Sequence, residues 1–209
     1  DTSDKTDISK AYVLLSKYGY EYDGKSHKPT VSGVYINNKL VDSKNYTVTY
    51  SKDLVNAGTP EVTITGKGSF TGTCKVTFTI SPRNFSNCTV IDPEGPFYYY
   101  EGTAYTPKYV VKDGDKTLVE GKDYQVTYKY NDKPGHSWNT IQGMGNYRND
   151  VIQRQFYIIP PLLSECTASL ENDTVIYDGH PAEPNIIVKF GERTLKLNQD
   201  YTVSYVGND

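Results

Sequence analysis

Three histidines, three cysteines, one methionine and one tryptophan are few for 209 residues, and their placement excludes several chemistries. His27, His136 and His180 fall at unrelated positions, none at ligand or triad spacing from a second reactive side chain. Neither a Walker loop nor a nucleophile elbow occurs. Asp113, Asp115, Glu120 and Asp123 crowd one stretch, but without the ligand order of an EF-hand, so they read as turn chemistry between strands. No catalytic residue, metal or cofactor is expected, and the chain is read as a non-enzyme. No apolar run approaches the roughly 20 residues of a spanning helix, so no membrane insertion is expected in this segment. The opening DTSDKTDISK lacks the basic and apolar regions of a signal peptide, and the chain is expected to be a soluble, excised piece of a longer protein. A formal net charge of -3 with dispersed Lys and Arg leaves no basic stripe for nucleic acid or an anionic membrane. Three cysteines, an odd number, do not make a small secreted disulfide framework.

What is abundant is equally directional. Twenty tyrosines, 17 glycines and 11 prolines, with many Val and Thr, suit short strands joined by tight turns, and an all-β fold is expected. The sequence also repeats. YDGKSHKP at residues 22–29 returns as YEGTAYTP at 100–107 and YDGHPAEP at 177–184, offsets of 78 and 77 residues. NYTVTY at 45–50 returns as DYQVTY at 123–128 and DYTVSY at 200–205, with the same offsets. A third block, GKGSFTG at 66–72 followed by FTISP at 78–82, matches GMGNYRN at 143–149 followed by FYIIP at 156–160, and has no third copy.

Each period holds about seven short strands. Tyr46, Val48 and Tyr50 alternate with Thr47 and Thr49, and Val62 and Ile64 with Glu61 and Thr63, the pattern of strands with one buried face. NNKL at 37–40, KDGDKTL at 112–118 and the dipeptides at 23–24, 101–102 and 178–179 mark tight turns. A period near 78 residues with seven strands predicts small two-sheet sandwiches of immunoglobulin-like type, without the Cys, Trp, Cys pattern of antibody domains. The expected organisation is a leader at 1–7, repeats at 8–82 and 83–161, and a truncated third repeat at 162–209. SPRN at 81–84 and IPPL at 159–162 put proline at both junctions, which stiffens them and predicts a semi-rigid rod.

Taken together, Y-x-G-x-x-x-x-P, G-x-D-Y-x-V-x-Y, N-A-G-T at 56–59, I-x-G-x-G-x-[FY]-x-G and a terminal F-x-I resemble the tandem bacterial immunoglobulin-like repeats of large surface proteins in Gram-positive anaerobes. The resemblance covers nearly the whole chain. It implies a secreted or cell-surface location and a role as adhesin stalk, spacer or protein-interaction module, and it does not choose among these. Partners implied are the adjacent repeats and a host or neighbouring surface protein. Direct binding of a host immunoglobulin, in the manner of a superantigen, or of a matrix protein is the alternative, and glycan binding a weaker one.

Cys88 and Cys166 occupy equivalent places in successive copies, so they are not expected to pair. Both, like Cys74, share strand parity with apolar residues and are expected as buried thiols, with a Cys74 to Cys88 bridge across the first junction left open. Asn45, Asn84, Asn87 and Asn172 open glycosylation sequons that a bacterial source would leave incidental. Nothing in the sequence signals an isopeptide bond.

Repetition separates fold from function: residues that recur serve the fold, and outward residues found once are candidates for binding. In the row PFYYYEG at 96–102, Tyr98 and Tyr100 match Tyr20 and Tyr22 and are assigned to the core, whereas Phe97 and Tyr99 match Gly19 and Glu21. Trp138 falls opposite Glu61, His136 opposite Thr59, Met144 opposite Lys67 and Tyr130 opposite Lys52. Phe97, Tyr99, Tyr130, His136, Trp138 and Met144, with Arg148 and Arg154 nearby, are therefore the partner-binding residues that the sequence suggests. The bland alternative is that they line a joint with a neighbouring repeat.

Overall fold

The computed structural model describes residues 5–93, 95–148, 150–176 and 178–207. Tyr177, Asn149 and the GND end at 207–209 beyond Gly207, all used in the sequence alignment above, lie outside the described residues, as does most of the expected leader. The fold is all-β, with short strands, tight turns and four 3-10 turns among the described residues. The chain forms two compact units: Asp1–Ile91 with Val110–Val126 and Ile141–Ile152, and Asp92–Tyr109 with Thr127–Thr140 and Gln153–Asp209.

In the first unit, Tyr12–Leu15, Val31–Ile36 and Lys39–Leu40 form one antiparallel sheet, and Tyr46–Tyr50, Glu61–Gly66 and Thr73–Thr77 form another. Val13, Leu15 and Val34 of the first sheet and Val62, Ile64 and Cys74 of the second are buried. Apart from Gly33, their neighbours along each strand are more exposed, because successive side chains of a strand point to opposite faces. Thr89–Ile91, Val110–Asp113 and Lys116–Thr117 form a third sheet in this unit. Asn37 and Asn38, at φ 49 and 62, make the two-residue turn between Ile36 and Lys39, the left-handed pair that a hairpin of this length requires.

Equivalent sequence blocks make the same local contacts. Tyr50 donates its hydroxyl to the Pro29 carbonyl at 2.6 Å, Tyr128 to Pro107 at 2.7 Å and Tyr205 to Pro184 at 2.7 Å. The repeated tyrosine and proline of the two blocks are thus one interaction, spanning 21 residues in all three copies. Gly19–Glu21 pairs in parallel with Thr79–Ser81, and Phe97–Tyr99 with Tyr157 to Ile159, in the same register. The antiparallel pairs Val13 with Val34, Val90 with Val111 and Ala168 with Val188 repeat as well.

The G-x-G-x-[FY] block has a physical reason at each glycine. A Cβ on Gly143 would lie 1.9 Å from the Tyr147 carbonyl oxygen and 2.8 Å from the Phe85 ring, so no side chain fits. Gly145 takes φ 56, which only glycine adopts without cost. This tight turn delivers Tyr147 into the first unit, where the side chain is fully buried.

Around Tyr147 lies a polar cluster within that unit. Its ring meets Tyr22 edge-on, with centroids 5.7 Å apart. Lys116 Nζ donates to the Tyr22 hydroxyl at 3.2 Å and the Tyr147 hydroxyl at 3.3 Å. The Tyr147 hydroxyl donates to Asp113 Oδ2 at 3.1 Å, and Arg83 Nε donates to Asp113 Oδ1 at 2.7 Å. Asn146 adds bonds to the Ala57 amide and the Asn56 side chain, at 2.7 and 2.8 Å. Every charge here has an opposite partner or a hydroxyl, which is what makes a buried polar cluster tolerable.

Burial is the main reason the Tyr147 hydroxyl titrates high, at about 12 against 10.0 for a free tyrosine. A phenol whose folded pKa is raised contributes stability that is whole below pH 10 and drains away between pH 10 and 12, as the unfolded chain loses its proton first. Tyr147→Phe is expected to cost about 1–2 kcal/mol at pH 7 by leaving Asp113 and Lys116 short of a partner. In urea unfolding at pH 7 and pH 11, the gap between wild type and variant should narrow by about 1 kcal/mol at the higher pH. An unchanged gap would show that Tyr147 does not stay protonated in the fold.

Candidate protein-binding face

A four-stranded sheet runs in the order Phe97–Tyr99, Val151–Ile159, Gly135–Gly143, Tyr124–Lys129. Residues 97–99, 127–140 and 153–159 of it belong to the second unit. Along the strand Gly135–Gly143, His136 and Trp138 are exposed while Ser137, Asn139 and Ile141 are buried. Alternation of this kind fixes two faces.

The buried face is held by ring packing and by hydrogen bonds. Tyr98 sits half-buried between Phe156, 5.1 Å away and edge-on, and Tyr105 at 5.0 Å. Asn139 donates its side-chain amide to the Tyr109 hydroxyl. Tyr109, Phe156 and Ile158 are buried. Tyr98 and Tyr100, both assigned to the core, are both half-buried: Tyr98 packs on the two rings, and Tyr100 lines a cleft beneath Arg193.

The opposite face carries the aromatics. Phe97 and Tyr99 are 62% and 58% exposed, and Trp138 is 50% exposed. Phe97 is the register partner of Tyr157, and Tyr99 of Ile159, so the four share one face of the sheet. The His136 ring meets Tyr157 at 4.9 Å with an interplanar angle of 69°, which places His136, and Trp138 two residues on, on that face too. Thr140 donates to Gln153 at 3.0 Å and gives the patch a polar border. Exposed aromatic surface with a polar rim is the usual make-up of a protein-binding patch, since rigid rings bury much area at small entropic cost.

The remaining residues suggested by the sequence lie elsewhere. Tyr130 is 57% exposed at φ 59, in the turn after Tyr124–Lys129, with Lys133 Nζ 5.3 Å from its ring centre. A left-handed aromatic residue is uncommon and costs about 1 kcal/mol or more. Met144 is half-buried in the first unit, where its amide donates to the Asp123 carbonyl at 2.8 Å. Arg148 is exposed in the first unit, and Arg154 is tied to Asp92 at 3.0 Å in the second. Tyr157 completes the aromatic face and is missing from the sequence expectation. Its signal was the alternation in QRQFYIIP, where it shares parity with Gln153 and Gln155 and not with Phe156 and Ile158.

The cysteines are free thiols. Cys74 and Cys88 are buried as expected, and burial pushes the Cys88 thiol up to about 11, which leaves it unreactive at neutral pH. Cys166 departs from expectation: it is half-buried, because the following strand Thr167–Leu170 is exposed along its whole length. Among the described residues no three His, Cys, Asp or Glu side chains are grouped to hold a metal ion, and no helix is long and apolar enough to cross a membrane. No protein-family model matches the chain, and no curated protein matches it in sequence.

Opposite faces of one sheet should give opposite mutational behaviour. Phe156→Ala is expected to destabilise the protein by about 3–5 kcal/mol. Phe97→Ala and Trp138→Ala should each cost less than about 1 kcal/mol, since their rings are half or more in water. Thermal unfolding of the three variants checks this, and a Trp138→Ala cost equal to that of Phe156→Ala would make Trp138 a packing residue.

Proposed function

We propose that this chain is a non-enzymatic segment of a bacterial cell-surface protein, built of tandem immunoglobulin-like β-sandwich repeats, that spaces binding modules and binds a protein partner through its aromatic sheet face. The observation that carries the binding role is the grouping of Phe97, Tyr99, Tyr157, His136 and Trp138 on the exposed face of one sheet. Folding does not require rings there, as the equivalent Gly19 and Glu21 make the same parallel pairing without them. The tandem-sandwich reading draws on the 78- and 77-residue offsets and on the thrice-repeated tyrosine-to-proline hydrogen bond. The bacterial surface location rests on the resemblance of the sequence blocks to surface-protein repeats.

Host immunoglobulin and matrix proteins are the partners of first choice, because a patch of rigid rings with a hydrogen-bonding border suits a protein epitope. Surface plasmon resonance of the immobilised chain against purified immunoglobulin and purified matrix proteins tests the reading. One of them is expected to bind saturably, and Phe97→Ala with Trp138→Ala should weaken it at least about 30-fold, as truncation of aromatic anchors does. Absence of binding, or equal binding by the doubly substituted chain, would leave the spacer role alone.

A further inference from the structure

Rows of register partners cross the equivalent sheets of the three sets of repeated blocks. In the second set the row is Thr89, Lys112 and Thr117, and in the third Thr167, Lys189 and Thr194. Both read Thr, Lys, Thr, the make-up of a solvated face. In the first set the row is Tyr12, Tyr35 and Leu40, and Tyr12 and Leu40 are more than half exposed. Folding does not ask for rings there, since the same pairing forms twice without them. The corresponding face is in water in the second set too, which has repeated blocks both before and after it, for Ile91 and Val110 are exposed.

Tyr35 is held flat. Its neighbour on the same face is Gly33, where the second and third sets carry Val110 and Ile187. A Cβ on Gly33 would lie 2.6 Å from Tyr35 Cε2 and 2.9 Å from the Tyr35 hydroxyl oxygen, so the ring lies over bare backbone only because residue 33 is glycine. Glycine inside a strand weakens it and marks a place of close approach. The Tyr12 ring stands 6.4 Å from that of Tyr35, tilted by 42°. The two open onto a shallow trough of about 500 Å³ lined by Lys10, Tyr12, Leu14, Tyr35, Asn37 and Asn38, a volume within the range of ligand sites. Asn37 and Asn38 are exposed, and each amide offers two donors and an acceptor. Lys10 is the one charge in the lining, and Asp7, a carboxylate within reach of that charge, is engaged by the Ser9 amide and hydroxyl at 2.9 and 2.7 Å.

Flat rings bordered by amides suit a pyranose, whose C–H face lies on an aromatic ring while its hydroxyls reach donors and acceptors at the rim. Six lining residues are few beside the roughly 20–30 a side of a standard protein interface. One cation with no carboxylate in the lining favours a sugar that bears an acid. We propose that this trough binds an acidic glycan, through a uronic or sialic acid residue. The sugar ring stacks on Tyr12 and Tyr35, its hydroxyls bond to Asn37 and Asn38, and its carboxylate pairs with Lys10. The site belongs to the first unit and does not rest on the aromatic sheet face.

Calorimetric titration of the full 209-residue chain with hyaluronan hexasaccharide and with sialyllactose tests it, with chitohexaose as the neutral control. At least one acidic saccharide is expected to bind saturably, and which one does tells uronic from sialic acid. Tyr12→Thr should weaken that binding about tenfold or more, as should Gly33→Val, which lifts the Tyr35 ring without removing it. Lys10→Gln should weaken it about threefold, and Trp138→Ala should leave it unchanged. Tyr12→Thr installs the residue that the other two sets carry, so it decides the matter even if Gly33→Val is destabilising. No saturable binding of either acidic saccharide up to millimolar concentration, equal binding of chitohexaose, unchanged binding by Tyr12→Thr, or loss of binding in Trp138→Ala would each overturn the proposal.

Discussion

Because successive side chains of a strand leave on opposite faces, each strand that packs on one side has a second set of residues that packing does not dictate. In the second unit this constraint divides the row of aromatics at 97–99: Tyr98 packs on Phe156 and Tyr105, while Phe97 and Tyr99 stand in water. The same division along Gly135–Gly143 buries Ser137 and Asn139 and exposes His136 and Trp138. The exposed rings sit together only because the parallel pairing of Phe97–Tyr99 brings Phe97 into register with Tyr157. Register thus turns scattered residues into a surface.

A second constraint is close approach. Gly143 leaves no room for a Cβ and Gly145 turns the chain, and together they carry Tyr147 into a cluster of Tyr22, Lys116, Asp113 and Arg83. The charges are mutually satisfied, so a polar group can be buried there at tolerable cost. Around Tyr100 and Arg193, where Phe190 and Pro161 stand in place of Asp113 and Arg83, no such cluster forms among the described residues.

Much of the fold was legible in the sequence, since strands and hairpins leave local signatures. Alternation marked Tyr46–Tyr50 and Glu61–Gly66, and the paired asparagines at 37 and 38 marked a two-residue turn. The exposure of Phe97, Tyr99 and Trp138 followed from comparing repeated blocks. What was not legible depends on contacts distant in sequence. The parallel pairing of Gly19–Glu21 with Thr79–Ser81 has no local pattern, and the place of Tyr157 on the aromatic face follows from such a pairing. Met144 belongs to a different unit from Trp138, six residues earlier, a division that no local pattern marks. Cys166 has the alternation of a buried residue, but the strand that follows it is exposed throughout.

The central claim is that the rings of this sheet face are kept in water by the fold and are available to a partner. Trp138 is the sole tryptophan, so emission excited at the red edge, where the 20 tyrosines do not absorb, reports on that face alone. Acrylamide quenching of the free protein is the most direct measurement. The account predicts a red-shifted emission, quenched nearly as efficiently as a model tryptophan, with protection appearing when partner is added. A blue-shifted emission that acrylamide barely quenches in the free protein would contradict it.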